Sequence, residues 1–259
     1  MAYTKLIPQH TSGAGVEQSS TNNGYRLSIP AGPSTEYRLA QLDDYAKIPR
    51  NQFPLRFPRS LSLSARASSD SVPGTWGFGF WNYPFGMSLG FGETGFRLPA
   101  LPNAVWFFHA SQENHLSFRD DKPAQGFLAQ TFRSPKFHPW LIPAGLALAF
   151  SRKITRRLMA KVVGEDATHL SVDVTEWHRY KLNWREERVS FEVDEVKVFD
   201  SRVSPRPPLG LVIWIDNQYA AFTPQGKIGF GVLENSEPAW LEIKNIDMSL
   251  QGGPVREAP

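Results

Sequence analysis

The chain reads as an all-β protein, a two-sheet antiparallel jelly-roll sandwich with one inserted helix near residues 143–160. Three observations carry this expectation. Roughly a dozen short segments alternate apolar and polar side chains at the two-residue period of a strand. The 21 Pro and 20 Gly are spread along the whole chain, as turns between short strands require. Aromatic residues reach 13%, with 18 Phe and 8 Trp, a usage that suits sheets and binding grooves better than a helical bundle. A length of 259 residues is enough for one large domain with a substantial core.

Taken in order, residues 1–23 are rich in Ser, Thr, Gly, Asn and Gln and read as a flexible N-terminal tail. The sandwich spans 24–250, and 251–259 read as a second flexible tail. Strand signals run through Tyr25–Ile29, Glu36–Leu42 and Ser60–Ala67. In Gly74–Trp81 small and aromatic residues alternate, while Ala104–Ala110 is apolar throughout, as a strand buried on both faces should be. Gly126–Phe132, Leu209–Ile215, Lys227–Leu233 and Ala239–Met248 complete the set outside the hairpin described next. Between Pro139 and Val163 helix formers replace β signals, and Pro143 suits a first helical turn.

The most structured phrase is Trp177–Ser201, WHRYKLNWREERVSFEVDEVKVFDS. His178, Tyr180, Leu182 and Trp184 alternate with polar residues, a charged turn follows, and Val189, Phe191 and Val193 alternate again before a turn at Asp194-Glu195. This pattern resembles a back-sheet hairpin of the concanavalin A-like lectin/glucanase superfamily, which usually has Gly at the position of Glu195. The resemblance extends to Gly74–Trp81, GTWGFGFW, which is similar to the G-x-W-P-A-x-W phrase of laminarinase-type glycoside hydrolases. Gly77 and Phe78 stand where that phrase has Pro and Ala. In those enzymes the next strand carries E-x-D-x-x-E, whose alternation puts a nucleophile and an acid/base on one face. The corresponding strand here is AVWFFHA and has no carboxylate. No activity of laminarinase type is expected. Glu192-Val193-Asp194 has the spacing but belongs to the hairpin, where an exposed strand face is the simpler account.

Candidate catalytic groups are therefore sought nearby. Glu113 and Asp120 form a possible relocated carboxylate pair, with His109 or His115 assisting. An ordinary polar loop explains them as well. Candidate ligand contacts are Trp76, Trp81 and Trp106, together with Asn82, His109, Gln130, Asp216, Asn217 and Gln218. Rings can stack on the faces of a sugar, and amides and carboxylates can bind its hydroxyls. Trp81 shares a face with Gly77 and Gly79, whose bare backbone a flat ligand could approach. Trp214-Ile-Asp-Asn-Gln-Tyr219 places three polar residues at the end of an apolar strand, either as ligand contacts or as turn stabilisers.

Composition limits the remaining classes. There is no Cys, so disulfides, thiolate metal sites and a Cys nucleophile are excluded. Net charge is only +3, which gives no nucleic-acid footprint. No cofactor is expected. Ca²⁺ is the one metal considered, with Asp247 as its candidate ligand because the resemblance includes Ca²⁺-holding members. No run of ~18 apolar residues is present, so no transmembrane helix is expected. MAYTKLIPQHTSGAG lacks a secretory apolar core, which leaves a cytoplasmic protein or a processed secreted form.

The leading functional expectation is a carbohydrate-recognising or divergent carbohydrate-active protein with an aromatic-lined groove on its concave sheet. The first alternative is an enzyme or binding protein for a non-sugar apolar small molecule in that groove. The second is an interaction or membrane-surface module that uses the basic-apolar helix for peripheral contact.

Overall fold

The computed structural model describes residues 6–19, 24–84, 100–135 and 151–250. Two seven-stranded antiparallel sheets form the body. The front sheet contains β1 (Ile7–His10), β4 (Leu39–Asp43), β13 (Gly210–Asp216), β6 (Thr75–Trp81), β7 (Ala104–Ala110), β8 (Gly126–Arg133) and β9 (Gly164–His169), in that spatial order. The back sheet runs β12 (Val196–Ser201), β11 (Val189–Val193), β10 (His178–Trp184), β5 (Arg59–Ala67), β16 (Ala239–Ser249), β3 (Tyr25–Ile29) and β2 (Gly15–Gln18). A separate two-stranded ribbon joins β14 (Gln218–Phe222) to β15 (Ile228–Val232). Helix α1 covers Arg152–Val162.

Alternation sets the core. From the front sheet Trp76, Phe78, Phe80, Val105, Phe107 and Ile213 point between the layers. From the back sheet Leu61, Leu63, Tyr180, Leu182, Trp184 and Phe191 meet them. Tyr180 sits edge-on to Phe78 and Phe107, with ring centroids 5.1 and 5.0 Å apart. Phe107 meets Phe191 at 5.2 Å. Such edge contacts suit the charge distribution of aromatic rings and add to the area they bury.

The front sheet is apolar on its other face too. Leu39, Trp81, Trp106, Phe108, Leu128, Phe132, Val212 and Trp214 form a second cluster there, so every residue of β6, β7 and β13 is buried. That face is covered by connecting segments, the ribbon and α1, and the candidate site lies beneath them.

The predicted strands match β3 to β8, β10 to β13, β15 and β16, with ends shifted by a few residues. Four strands were not expected. β1 and β2 lie in the stretch assigned to a flexible tail and correct it, because Ile7–His10 pairs with β4 and Gly15–Gln18 pairs with β3. Both are four-residue edge strands too short for alternation to mark them, and the partner of β1 lies about thirty residues further along the chain. β9 is polar, and β14 follows the polar strand end 216–218 without an alternation of its own. Within the described residues the expected helix is α1, Arg152–Val162; residues 143–150 of that expectation and the expected tail 251–259 lie outside the described residues.

The hairpin turn between β11 and β12 holds Asp194 at φ 49° and Glu195 at φ 68°, the left-handed region. Glycine adopts this geometry without strain, and side chains with a Cβ resist it. Glu195→Gly should therefore stabilise the protein by about 1 kcal/mol despite losing an exposed ion pair with Arg179. Urea unfolding of the two proteins checks this, and a destabilised variant would contradict it.

Candidate functional site

Three indoles form the floor of a pocket on the outer face of the front sheet. Trp214 lies parallel to Trp81, 5.9 Å away and 5° from coplanar. Trp106 tilts against both, at 5.8 Å from Trp81 and 5.5 Å from Trp214, and stacks on Phe108 at 5.2 Å. Each indole N–H has a dedicated acceptor. Trp81 donates to the Tyr45 hydroxyl at 2.6 Å, Trp106 to Gln130 Oε1 at 3.1 Å, and Trp214 to Thr75 Oγ1 at 2.9 Å. These bonds fix the rings and satisfy donors that would otherwise be buried at a cost of ~1–3 kcal/mol each.

The glycines of β6 serve this floor rather than a ligand. A Cβ on Gly77 would lie 2.4 Å from Phe107 O and 2.9 Å from Trp214 Cη2. One on Gly79 would lie 2.6 Å from Trp106 Cα. Neighbouring protein atoms therefore occupy the bare backbone that the sequence reading offered to a ligand.

Above the floor is a pocket of about 650 Å³. One wall is made by Tyr37, Leu39 and Gln41, with Gln9 from the edge strand. Tyr83, Leu101 and Pro102 form another, and Leu116, Phe118, Phe132 and Met159 a third. The ribbon closes the remaining side with Tyr219, Ala220, Ala221, Phe222, Ile228 and Phe230. Most of this surface is carbon.

Asp216 is the one carboxylate lining the pocket among the described residues. It ends β13 two residues after Trp214 and faces the same way. Thr75 donates to its Oδ1 at 2.7 Å, the Gln218 backbone N–H reaches the same oxygen at 3.3 Å, and Tyr37 donates to Oδ2 at 3.3 Å. Because the Trp214 indole can only donate, it directs the Thr75 hydroxyl hydrogen onto Oδ1. A proton on Asp216 therefore sits on Oδ2, beside the Tyr37 hydroxyl. Burial pushes this carboxyl up to about 7, with the Thr75, Gln218 and Tyr37 hydrogen bonds opposing the rise. Burial, and then the charge of Asp216, raises the Tyr37 phenol well above its usual range. Below pH ~7 the pocket wall therefore carries Asp216 as a neutral acid beside the Tyr37 phenol.

The base of this arrangement is held by Asn217 and Arg38. Asn217 Nδ2 donates to Glu36 O and Leu233 O, and its Oδ1 accepts from Arg38 N. Arg38 caps Gly32 O, Pro33 O and Leu233 O with its guanidinium. Together they tie the start and end of the ribbon to the segment that carries Tyr37.

Of the candidates from the sequence, Trp81, Trp106, His115, Asp216 and Gln218 line the pocket, and burial and the Arg156 charge lower the His115 imidazole. Trp76 and His109 do not. Trp76 points into the inter-sheet core, and His109 stacks on it at 5.4 Å, because their strand parity is opposite to that of Trp81 and Trp106. Burial lowers His109 to about 4, so it is neutral there. Asn82 bonds Leu101 O and Asn103 N and shapes the loop behind Tyr83. Gln130 tethers Trp106, and Asn217 is structural, as described above. Glu113 is exposed and outside the pocket, while Asp120 pairs with Arg156. Neither of them lines the pocket. Glu192 bonds Lys181 and Asn183, and Asp194 bonds His178 at 2.6 Å, on the hairpin. Asp247 is exposed on β16, and the described residues hold no group of three or more His, Asp or Glu placed to bind a metal ion.

The nearest carboxylate on the same sheet face is Asp43. It stands opposite Val212, and Asp216 stands opposite Leu39, so four residues separate them. That places their backbones roughly 13 Å apart along the sheet, against ~5–5.5 Å between the carboxyls of a retaining pair and ~6.5–9.5 Å for an inverting one. Asp43 is also engaged by Gln9, Gln41 and the N–H groups of Tyr45 and Ala46.

Several site residues escaped sequence reading. Trp214 could have been found, since it shares strand parity with Asp216. Tyr37, Thr75 and β14 carry no local signal.

No family model matches the chain, and no curated protein matches it at a significant level. Solved structures do match. A Bacillus licheniformis beta-glucanase aligns with TM-score 0.51 and 11% identity, covering 97% of this chain and 95% of that one. A Bacteroides ovatus mixed-linkage glucan GH16 protein, in complex with a G4G4G3G product, aligns at TM-score 0.48 and 9% identity over 96% of each chain. A sialidase aligns at TM-score 0.43 and 8% identity over 95% of this chain, which spans only 17% of that longer one. These likenesses are of fold. The protein is an antiparallel jelly-roll β-sandwich similar in fold to that beta-glucanase, with an aromatic pocket on its front sheet.

The neutral state of Asp216 has a measurable consequence. Its folded pKa of about 7 lies above the ordinary 3.8, so between these values the folded protein keeps a proton that the unfolded chain has released. Stability from this group is full below pH 3.8 and is lost as pH rises through about 7. Asp216→Asn retains the shape of the neutral acid but cannot ionise. Relative to wild type, the variant should gain on the order of a few kcal/mol across that window. Urea unfolding across the pH range checks this, and a constant difference between the two proteins would refute it.

Proposed function

We propose that the pocket binds a small, mostly apolar molecule that presents one or two oxygen atoms to Asp216 and Tyr37. The observation that carries this reading is a volume of about 650 Å³ whose wall is aromatic and aliphatic apart from a few polar groups. This is the usual composition of a small-molecule site, with carbon for affinity and few polar atoms for orientation. The magnitudes favour an apolar ligand over a sugar. Each sugar hydroxyl buried here without a partner would cost ~1–3 kcal/mol, and a ring carries several. The rings that would stack on a sugar are also packed against one another, with Trp81, Trp106 and Trp214 no more than 7% exposed.

A second reading is carbohydrate recognition. The beta-glucanase fold match supports it, as does a row of polar side chains, Gln9, Gln41 and Tyr37, along one wall. In that case a sugar would lie with its hydroxyls toward this row and one face on the indoles. Among the described residues Asp216 is the one carboxylate in the pocket wall, so neither reading assigns it a partner for hydrolysis.

Ligand titration separates the two. The neutral probe N-phenyl-1-naphthylamine should bind saturably with enhanced fluorescence. Ala220→Phe, which fills the pocket, should weaken that binding at least tenfold. Glucan oligosaccharides should leave tryptophan fluorescence unchanged. Saturable oligosaccharide binding without probe binding would replace the apolar reading with the second one.

A further inference from the structure

The mouth of the pocket carries a surface that the pocket itself does not explain. Five large apolar side chains are markedly exposed among the described residues, and three of them gather here. Ile228 and Phe230, 47% and 52% exposed, sit on β15 and also line the pocket. Ile154, 52% exposed, lies on the first turn of α1. The helix and the ribbon are joined. A Cβ on Gly226, in the ribbon's turn, would lie 3.1 Å from Lys153 N. Arg156, almost fully buried, donates to Phe222 O at 2.9 Å and Ser117 O at 3.1 Å and pairs with Asp120.

The charge around these apolar side chains has one sign. Helix α1, RKITRRLMAKV, contains five cationic residues and no acidic one. Arg156 is consumed by the contacts above. Arg152, Lys153, Arg157 and Lys161 are exposed, as is Lys227 in the ribbon, and none of these five has an ion-pair partner among the described residues. At 100° per residue, Ile154, Arg157 and Lys161 share the helix face turned away from Arg156 and Met159.

We propose that this helix–ribbon surface docks the protein on an anionic lipid membrane, with the pocket mouth against the bilayer. Ile154, Ile228 and Phe230 would enter the interfacial region, and the cations would meet lipid phosphates and carboxylates. Bulky apolar side chains interleaved with unpaired cations fit a lipid surface better than a nucleic acid, whose backbone offers the apolar groups nothing. Such docking would let an apolar ligand pass between bilayer and pocket without crossing water. The surface stands on its own observations and goes beyond the ligand reading above.

Co-sedimentation with vesicles tests the proposal. The full chain should pellet with mixed phosphatidylcholine–phosphatidylserine vesicles and not with pure phosphatidylcholine, and added salt should release it. Arg157→Glu/Lys161→Glu, on exposed positions outside the pocket, should weaken binding more than tenfold, since each cation near the surface is worth about fivefold. That variant should bind N-phenyl-1-naphthylamine as wild type does, which separates this proposal from the ligand reading and reports an intact fold. Ile154→Ser/Phe230→Ser should also weaken vesicle binding. The proposal is overturned by absent binding to anionic vesicles, or by a charge-reversed or apolar variant that binds them with wild-type affinity. Equal binding to soluble polyglutamate would assign the surface to an acidic polymer instead.

Discussion

Burial of the central front-sheet strands on both faces is the constraint from which the rest of this structure follows. β6, β7 and β13 have no residue left exposed. One face is covered by the back sheet. The other carries three indoles and several more apolar side chains, so it must also be covered, and among the described residues no second large sheet does so. Loops, a helix and a two-stranded ribbon take that role. Irregular segments pack over a sheet less completely than another sheet would, and the space left between them is the pocket. Core-forming and site-forming residues therefore alternate along the same strands, as Phe78 and Phe80 do with Gly77, Gly79 and Trp81.

The same constraint accounts for the chemistry of Asp216. A carboxyl at the end of a strand is ordinarily solvated. Here the ribbon that leaves β13 folds back over the sheet, anchored by Asn217 and Arg38, and removes water from the acid just before it. Burial without a cationic partner leaves the neutral acid as the economical state. Asp44 shows the same logic outside the pocket, where burial also raises its carboxyl to about 7. Similar titration can thus arise in a structural position, and it is placement in the pocket wall beside Tyr37 that sets Asp216 apart.

Much of the architecture was legible in the chain. Two-residue alternation identified most strands and, within Gly74–Trp81 and Ala104–Ala110, separated the two faces correctly. It also showed that the strand expected to carry paired carboxylates has none. The selection of individual contacts was less secure. Trp76 and Trp81 look equivalent as aromatic residues of one strand, yet their difference of five positions puts them on opposite faces. Asn82, Gln130 and Asn217 have the side chains of ligand contacts but are occupied by backbone or indole partners.

What the sequence by itself determined is the periodic part of the protein, namely which segments are strands and which of their faces are apolar, because strand geometry converts residue order directly into side-chain direction. The edge strands β1 and β2, the pairing of β14 with β15 over the sheet and the environment of the acid were decided only in three dimensions. Thr75 and Tyr37 reach Asp216 across 141 and 179 residues of chain, and the burial that keeps the proton on it is a property of everything folded around it.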